Sequence, residues 1–370
     1  MKLDITLECP VAKSFRVDAC VGMFDLDVKA KATRSWSVEL PSIDEDWKIG
    51  AIVGPSGSGK SVVARHAFAK QLIERFDWPK GKSIVDAFPK KASNKHITGI
   101  LNSVGFSSPP DWVKPYNCLS NGQQFRCDLA RALLTPVSAS ADSQYPGVIA
   151  FDEFTSVVDR QVAQFGSAAV AKTIRKERNK EANGPARFVA VTCHYDILDW
   201  LNPDWVLDMA TGKLERGCLR PRPKIKLEIF RVHHSAWKLF KQHHYLTGNL
   251  NTSCRCYVAF WNKRPVCFCA AMCCYGQKNT WRLSRTVVLP DFQGMGIGCK
   301  VADCIARILS NEGKVVSSSL SHPALIAHRK NSKNWKCIQV FPYGRRATGI
   351  AKEGAGGTLG RPSATFRYIK

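Results

Sequence analysis

Short apolar runs that break off into glycine-rich turns recur along this chain. Residues 49–53, Ile-Gly-Ala-Ile-Val, predict a buried strand, and beyond the turn Val62, Val63, Ala64 and Ala67 suit a helix. A second apolar run over 145–151 predicts another strand, ending on the carboxylates Asp152 and Glu153. Residues 235–246 read as a short helix with Trp237, Phe240 and His244 on one face. Strands are predicted over 256–261 and 266–272, joined by Asn262-Lys-Arg-Pro265, a hairpin signal. Another strand over 281–289 runs into glycines at 294, 296 and 298, then an amphipathic helix over 299–309, a strand over 315–320 and a helix from Pro323.

Strands alternating with helices imply an α/β fold, and 370 residues suffice for two domains of roughly 100–200 residues each. Pro221 and Pro223 among basic residues mark a stiff connector. The expected organisation is a first domain over 1–220, a basic Pro-rich linker over 221–227, a second domain over 228–340 and a basic tail over 341–370.

Charge sharpens this division. The net charge is +24, and residues 1–220 hold 29 Lys and Arg against 25 Asp and Glu, whereas 221–370 hold 25 against 5. A folded domain that basic attracts polyanions, which makes a nucleic acid the expected partner. No apolar stretch approaches the ~18 residues that span a bilayer, and the acidic start MKLDITLECP is unlike a secretion signal. A cytoplasmic location without a membrane partner is therefore expected. The fifteen cysteines are read as reduced, mostly core residues; Cys254 with Cys256 and Cys267 with Cys269 share a strand face rather than a zinc spacing.

The first glycine-rich turn is Gly54-Pro55-Ser56-Gly57-Ser58-Gly59-Lys60-Ser61, lying between strand and helix as a phosphate-binding loop requires. Its amides can encircle phosphates, Lys60 can reach the β and γ oxygens, and Ser61 can ligate Mg²⁺. In ATPases with such a loop, a strand like 145–151 supplies an aspartate to the metal and a carboxylate to the attacking water, which makes Asp152 the second Mg²⁺ partner and Glu153 the general base. Between them stands Leu119-Ser120-Asn121-Gly122-Gln123-Gln124, with Arg126 and Leu129-Ala-Arg-Ala-Leu133 downstream; Ser156-Val-Val-Asp159 and Val189-Ala-Val-Thr-Cys-His194 follow. Together these resemble the signature, D-loop and switch histidine of ABC-type ATPases, over about residues 1–220. The resemblance implies that Ser120, Gly122 and Gln123 contact ATP bound by a second copy, in an ATP-dependent homodimer, with His194 as the switch residue. The Q-loop position is assigned to Asp86, and Phe24 or Trp36 to stacking on adenine. The short spacing from Lys60 to Ser120 points away from transporters and toward ABC ATPases that act on nucleic acid.

The second turn, Gln293-Gly294-Met295-Gly296-Ile297-Gly298, follows a strand and Pro290 and opens a helix. A Gln-x-x-Gly-x-Gly turn in that context resembles the acetyl-CoA loop of GNAT acyltransferases, over about residues 228–340. The resemblance implies that the amides of Gly294 to Gly298 hold the CoA pyrophosphate and that Val287, Val288 and Leu289 bond the pantetheine arm. The glutamate that many members carry on the preceding strand is replaced here by Arg282, Ser284, Arg285 and Thr286. His243, His244, Tyr245 and His322 remain as proton carriers, with His244 and Tyr245 the assigned catalytic pair. A His-Tyr stretch beside a basic GNAT domain is similar to phage-encoded DNA-modifying acyltransferases, which also suggests a phage or mobile-element origin.

The expected function is ATP-coupled transfer of an acyl group from acetyl-CoA to an amine of a nucleic acid. The alternatives are a protein N-acetyltransferase regulated by an ABC ATPase, and a non-catalytic CoA-sensing or nucleic-acid-binding ATPase. ATP, Mg²⁺ and acetyl-CoA are the implied small molecules.

Overall fold

The computed structural model describes the chain apart from residues 11, 25–30, 91, 135–144, 146, 176–186, 218–224, 245–247, 343–361 and 370. The elements begin with β1 (Lys2–Pro10), α1 (Phe15–Phe24), β2 (Lys31–Glu39), β3 (Ile49–Val53), α2 (Lys60–Phe68) and β4 (Leu72–Ile73). There follow α3 (Asn94–Ser103), α4 (Pro109–Trp112), α5 (Asn121–Leu134), β5 (Val148–Phe151), α6 (Arg160–Ile174), β6 (Arg187–Thr192), α7 (Leu198–Leu201), β7 (Trp205–Asp208) and β8 (Lys213–Arg216). The remainder is β9 (Glu228–Val232), α8 (Trp237–Phe240), β10 (Arg255–Trp261), β11 (Arg264–Cys273), β12 (Thr280–Val288), α9 (Ile297–Asn311), β13 (Val315–Leu320), α10 (Pro323–Lys330), β14 (Trp335–Phe341) and β15 (Ser363–Tyr368).

These elements form two compact units whose division does not follow the expected break near residue 220. The first comprises Met1–Asp77, Arg131–Val158 and Ala171–Arg222; the second comprises Trp78–Ala130, Asp159–Val170 and Pro223–Lys370. Most of the linker expected over 221–227 lies outside the described residues.

In the first unit a six-stranded sheet runs β4-β5-β6-β3-β7-β8, with β8 antiparallel and the rest parallel. The uniformly apolar sequence of β3 is what a central parallel strand needs, and all five of its residues are buried. Gly50 is required there: a Cβ would lie 2.1 Å from the Trp205 ring. The antiparallel pair β1–β2 adds Ile5 and Val38 to the core that also holds Phe68, Tyr145 and Trp205.

In the second unit a seven-stranded sheet runs β14-β15-β13-β12-β11-β10-β9. The hairpin expected at 262–265 forms with Asn262 and Lys263 both at positive φ, the twist that two-residue turns favour. Helix α9 buries Ile297, Val301, Ile305 and Leu309, a four-residue stripe, against the sheet. The helix expected over 235–246 is interrupted: among the described residues of that range only α8 is α-helical, flanked by 3-10 turns, and Trp237 and Phe240 bury against Phe268. The tail expected over 341–370 supplies a strand, since β15 sits between β13 and β14 with Ala364 and Phe366 buried. Helix α3 and the part of α5 up to Ala130 belong to this unit, and α5 is anchored where Trp78 Nε1 and Tyr116 Oη donate to the two Asp128 oxygens at 2.7 and 2.8 Å.

Candidate functional site

The first site is built at the carboxyl ends of β3, β5 and β6. Gly54, Gly57 and Gly59 all take positive φ, which lets the loop turn tightly into α2. A Cβ on Gly54 would sit 2.9 Å from Ser58 Oγ, and one on Gly59 would enter the Trp36 indole. Lys60 is buried, and its ammonium donates to Pro55 O at 2.9 Å, across the mouth of the loop. Ser61 Oγ donates to Asp152 Oδ1 at 3.1 Å. A hydroxyl and a carboxylate brought together from two elements form the all-oxygen donor set that suits a hydrated Mg²⁺.

Glu153 follows, exposed, at φ +50, and Thr155 takes φ +70; such non-glycine conformations cost roughly 1–3 kcal/mol and cluster at working sites. Ser156 Oγ donates to the Glu153 carboxylate, and Thr155 Oγ1 lies 3.5 Å from His194 Nδ1. The expected group Lys60, Ser61, Asp152, Glu153 and His194 therefore converges on one edge of one sheet. Trp36 donates from Nε1 to Ser58 O at 2.8 Å, and together with Arg34 and Met209 it walls an open depression over Pro55–Ser58. That position suits the stacking role expected of it.

The Q-loop position was assigned to Asp86. It lies in the second unit, in a 3-10 turn closed on Ser83. The residue that does follow an edge strand is Glu74: β4 pairs in parallel with β5, Ile73 opposite Phe151, and Asp152 N donates to Ile73 O at 2.8 Å. Glu74 pairs with Arg65 at 2.6 Å, which holds its carboxyl below the usual range. A two-residue strand carries no periodic signal, so sequence reasoning passes it by.

Ser120, Gly122 and Gln123 open α5 in the second unit. Gln123 Oε1 accepts from Ser120 N at 3.0 Å, and its Nε2 donates to Asp111 Oδ2 at 2.9 Å. Ser120 is exposed.

The second site lies where β12 and β13 part. They pair in parallel only over Thr280–Leu283 opposite Val315–Ser318; beyond that β13 continues beside β15, and Ser284–Val288 has no strand on its outer side among the described residues. Leu289 N donates to Val266 O at 3.0 Å, so register turns the backbone of Val287 and Leu289 toward β11 and that of Val288 toward the open edge. Of the three residues expected to bond a pantetheine arm, Val288 is the one whose backbone faces that edge. Gly294 and Gly296 take positive φ, Gly296 caps α9 without a side chain, and a Cβ on Gly298 would press on Val288 at 3.0 Å. With Met295 and Ile297 between them, they leave a turn of amides at a helix N-terminus, a fit for a diphosphate.

Gln293, at the start of the turn read as the CoA loop, braces that turn with its side chain: Nε2 donates to Val288 O at 3.1 Å and Oε1 accepts from Ser107 N at 3.0 Å. Among the proton carriers, Tyr245 lies outside the described residues. His244 stands edge-on to Trp237, with ring centroids 5.6 Å apart. Burial lowers the pKa of His243, opposed by the charges of Asp111 and Asp291. His322, at the N-terminus of α10 just after β13, is buried, and burial lowers its pKa too, opposed by a hydrogen bond with the Ser107 backbone. Both shifts favour the neutral ring, the form that accepts a proton. Cys267 is buried in β11, and burial raises its thiol well above its ordinary value. No group of three or more His, Cys, Asp or Glu is placed to hold a metal among the described residues, and no helix there is long and apolar enough to cross a membrane.

No family model matches the sequence, and no curated protein matches it. Solved structures resemble parts of it. The ribosomal-protein-S18-alanine N-acetyltransferase of Escherichia coli aligns at 13% identity over 39% of this chain and 95% of its own, with a TM-score of 0.31. A Bacillus subtilis acetyltransferase in complex with CoA aligns at 8% identity over 39% of this chain and 97% of its own, with a TM-score of 0.29. A dimeric ATP-binding cassette in a post-hydrolysis state, bound to ADP and Pi, aligns at 16% identity over 50% of this chain and 89% of its own, with a TM-score of 0.35. Each of these structures covers half of this chain or less.

Proposed function

We propose that this protein is an ATP-dependent acyltransferase that moves an acyl group from acetyl-CoA to an amine of a nucleic acid. The observation that carries the reading is the pairing in one chain of two separately built anion cradles. One has a lysine, a hydroxyl and a carboxylate suited to Mg·ATP; the other sits at the mouth of a splayed strand pair. The +20 balance of residues 221–370 supports a polyanionic acceptor.

In the first cradle Lys60 neutralises phosphate charge, and Ser61 with Asp152 would hold Mg²⁺, which when bound offsets the charge on the β and γ oxygens. Glu153 orients and deprotonates the attacking water. Ser120 and Gly122 complete the site of a second copy, so that ATP favours a head-to-tail homodimer and hydrolysis releases it.

In the second cradle the amides of 294–298 hold the diphosphate and the open edge at Val288 aligns the pantetheine arm. The acceptor amine attacks the thioester carbon, a C–N bond forms and the C–S bond breaks. The amine gives its proton to a histidine, with His244, His243 and His322 the candidates beside Tyr245, and that proton, passed to the departing thiolate, yields CoA thiol.

The test is transfer from labelled acetyl-CoA, with Mg·ATP, into DNA, RNA and cell protein, followed by separate nuclease and protease digestion. Label freed by nuclease is expected. Label freed only by protease would instead establish a protein acetyltransferase, and CoA binding without transfer would establish a sensing domain.

A further inference from the structure

The turn at 290–294 is held by residues from the signature region, far away in sequence. Arg126, six residues beyond Ser120 on α5, is only 1% exposed, and its guanidinium donates to Asp291 O at 3.2 Å. Among the described residues its Nε has no hydrogen-bond partner. A buried charge so sparsely bonded is a poor source of stability, which suggests that its position serves something else.

Three further contacts reach the same turn. Gly105, at φ +87, meets it backbone to backbone: a Cβ there would lie 2.8 Å from Gln293 O, and one on Gly294 would lie 3.0 Å from the Gly105 Cα. Ser107 N bonds the Gln293 side chain. Phe165 of α6 stands edge-on to Phe292 and Trp261, at 5.4 and 5.3 Å. The acyl-donor turn is thus seated on α5, α6 and the segment after α3.

We infer that Arg126 and Gly105 are positioning residues for the acyl-donor turn, and that through them nucleotide engagement at Ser120 and Gly122 sets the affinity for the acyl donor. This rests on the reading of that turn as the CoA site. A rigid helix with the signature at its first turn and Arg126 near its second gives any movement forced by ATP a direct path to the Asp291 carbonyl. A second path runs from Gln123 through its bond to Asp111, whose charge acts on His243. ATP binding in the dimer therefore tightens CoA binding.

The experiment is calorimetric titration of CoA into the full chain carrying Glu153→Gln, which retains ATP, with and without Mg·ATP. CoA binding is expected to tighten severalfold with ATP. Adding Arg126→Met is expected to weaken CoA by about tenfold, the worth of one hydrogen bond to a charged group, and to abolish the response to ATP. Arg126→Lys, which keeps a charged donor, recovers part of both. Gly105→Ala, which pushes on Gln293 from outside the cradle, decides the matter if Arg126→Met fails to fold. CoA affinity within about twofold of the parent in Arg126→Met or Gly105→Ala overturns the positioning role. Full retention of the ATP response in those variants overturns the coupling. Failure of the parent itself to bind CoA removes the acyl-donor reading, and this inference with it.

Discussion

Replacing Phe165 by Ala tests whether α6 and the seven-stranded sheet are one cooperative body. The Phe165 ring is fully buried and stands edge-on to Trp261 at the end of β10 and to Phe292 in the turn before α9. Truncating a buried phenylalanine costs about 3–5 kcal/mol, of which two edge-on aromatic pairs account for about 1–3 kcal/mol. A loss of ~3 kcal/mol in the free energy of opening accelerates amide exchange by roughly a hundredfold. Native-state hydrogen exchange read by mass spectrometry should show that acceleration in peptides covering 255–261 and 290–298, with β3 and β6 unchanged. Phe165→Leu, which fills much of the cavity but still loses both aromatic pairs, should cost less than Phe165→Ala. Unchanged protection over both 255–261 and 290–298 would refute the reasoning, because it would mean that the aromatic trio does not join these segments energetically.

Three further outcomes are expected. Ser61→Ala and Asp152→Asn should each lower Mg²⁺-dependent ATP hydrolysis by at least about a hundredfold, since charge stabilisation by a catalytic metal is worth several kcal/mol, while nucleotide binding without Mg²⁺ persists; hydrolysis rates and binding of a fluorescent nucleotide check this. Glu74→Ala should slow ATP turnover more than it weakens ATP affinity, and an affinity loss without a rate loss would remove Glu74 from the proposed Mg²⁺ site. The pKa values of His322 and His243 lie below the ordinary 6.5 in the folded chain, so the unfolded state binds protons first as pH falls. The stability that the second unit draws from these groups is therefore complete above about pH 6.5 and declines below it. Urea midpoints at pH 7.5 and 5.5 measure this, and His322→Gln should flatten the difference.

Both glycine-rich turns were legible in the sequence because local chemistry fixes them: a buried strand, residues that tolerate positive φ, and a helix opening with uncapped amides. The convergence of Ser61 with Asp152 followed from the same motifs. The strands around Asn262-Lys263 were legible for a similar reason, since that turn sets its own register. Glu74 was not, because a strand of two residues is defined only by its neighbour β5. Nor was the backbone polarity of 287–289, where a one-residue shift decides whether an amide faces β11 or the open edge. The strand β15 was hidden by composition, as basic residues and glycines around it mask the alternation of Ala364 and Phe366.

The make-up of the second unit was the least legible feature, and its causes are physical. Arg126 and Asp291 are 165 residues apart, and Ser107 and Gln293 are 186 apart. Read alone, Phe165 and Phe292 are ordinary apolar positions of a helix and a loop, and Gly105 is an ordinary helix terminator. Each satisfies its local rule while also serving a distant partner, so sequence pattern cannot separate the two uses. Burial can. A guanidinium buried on α5 and bonded to the Asp291 carbonyl in the turn before α9 is costly wherever it sits, and no motif in either half of the chain asks for that contact. The contact between Arg126 and the Asp291 carbonyl is therefore where the proposed coupling should be sought.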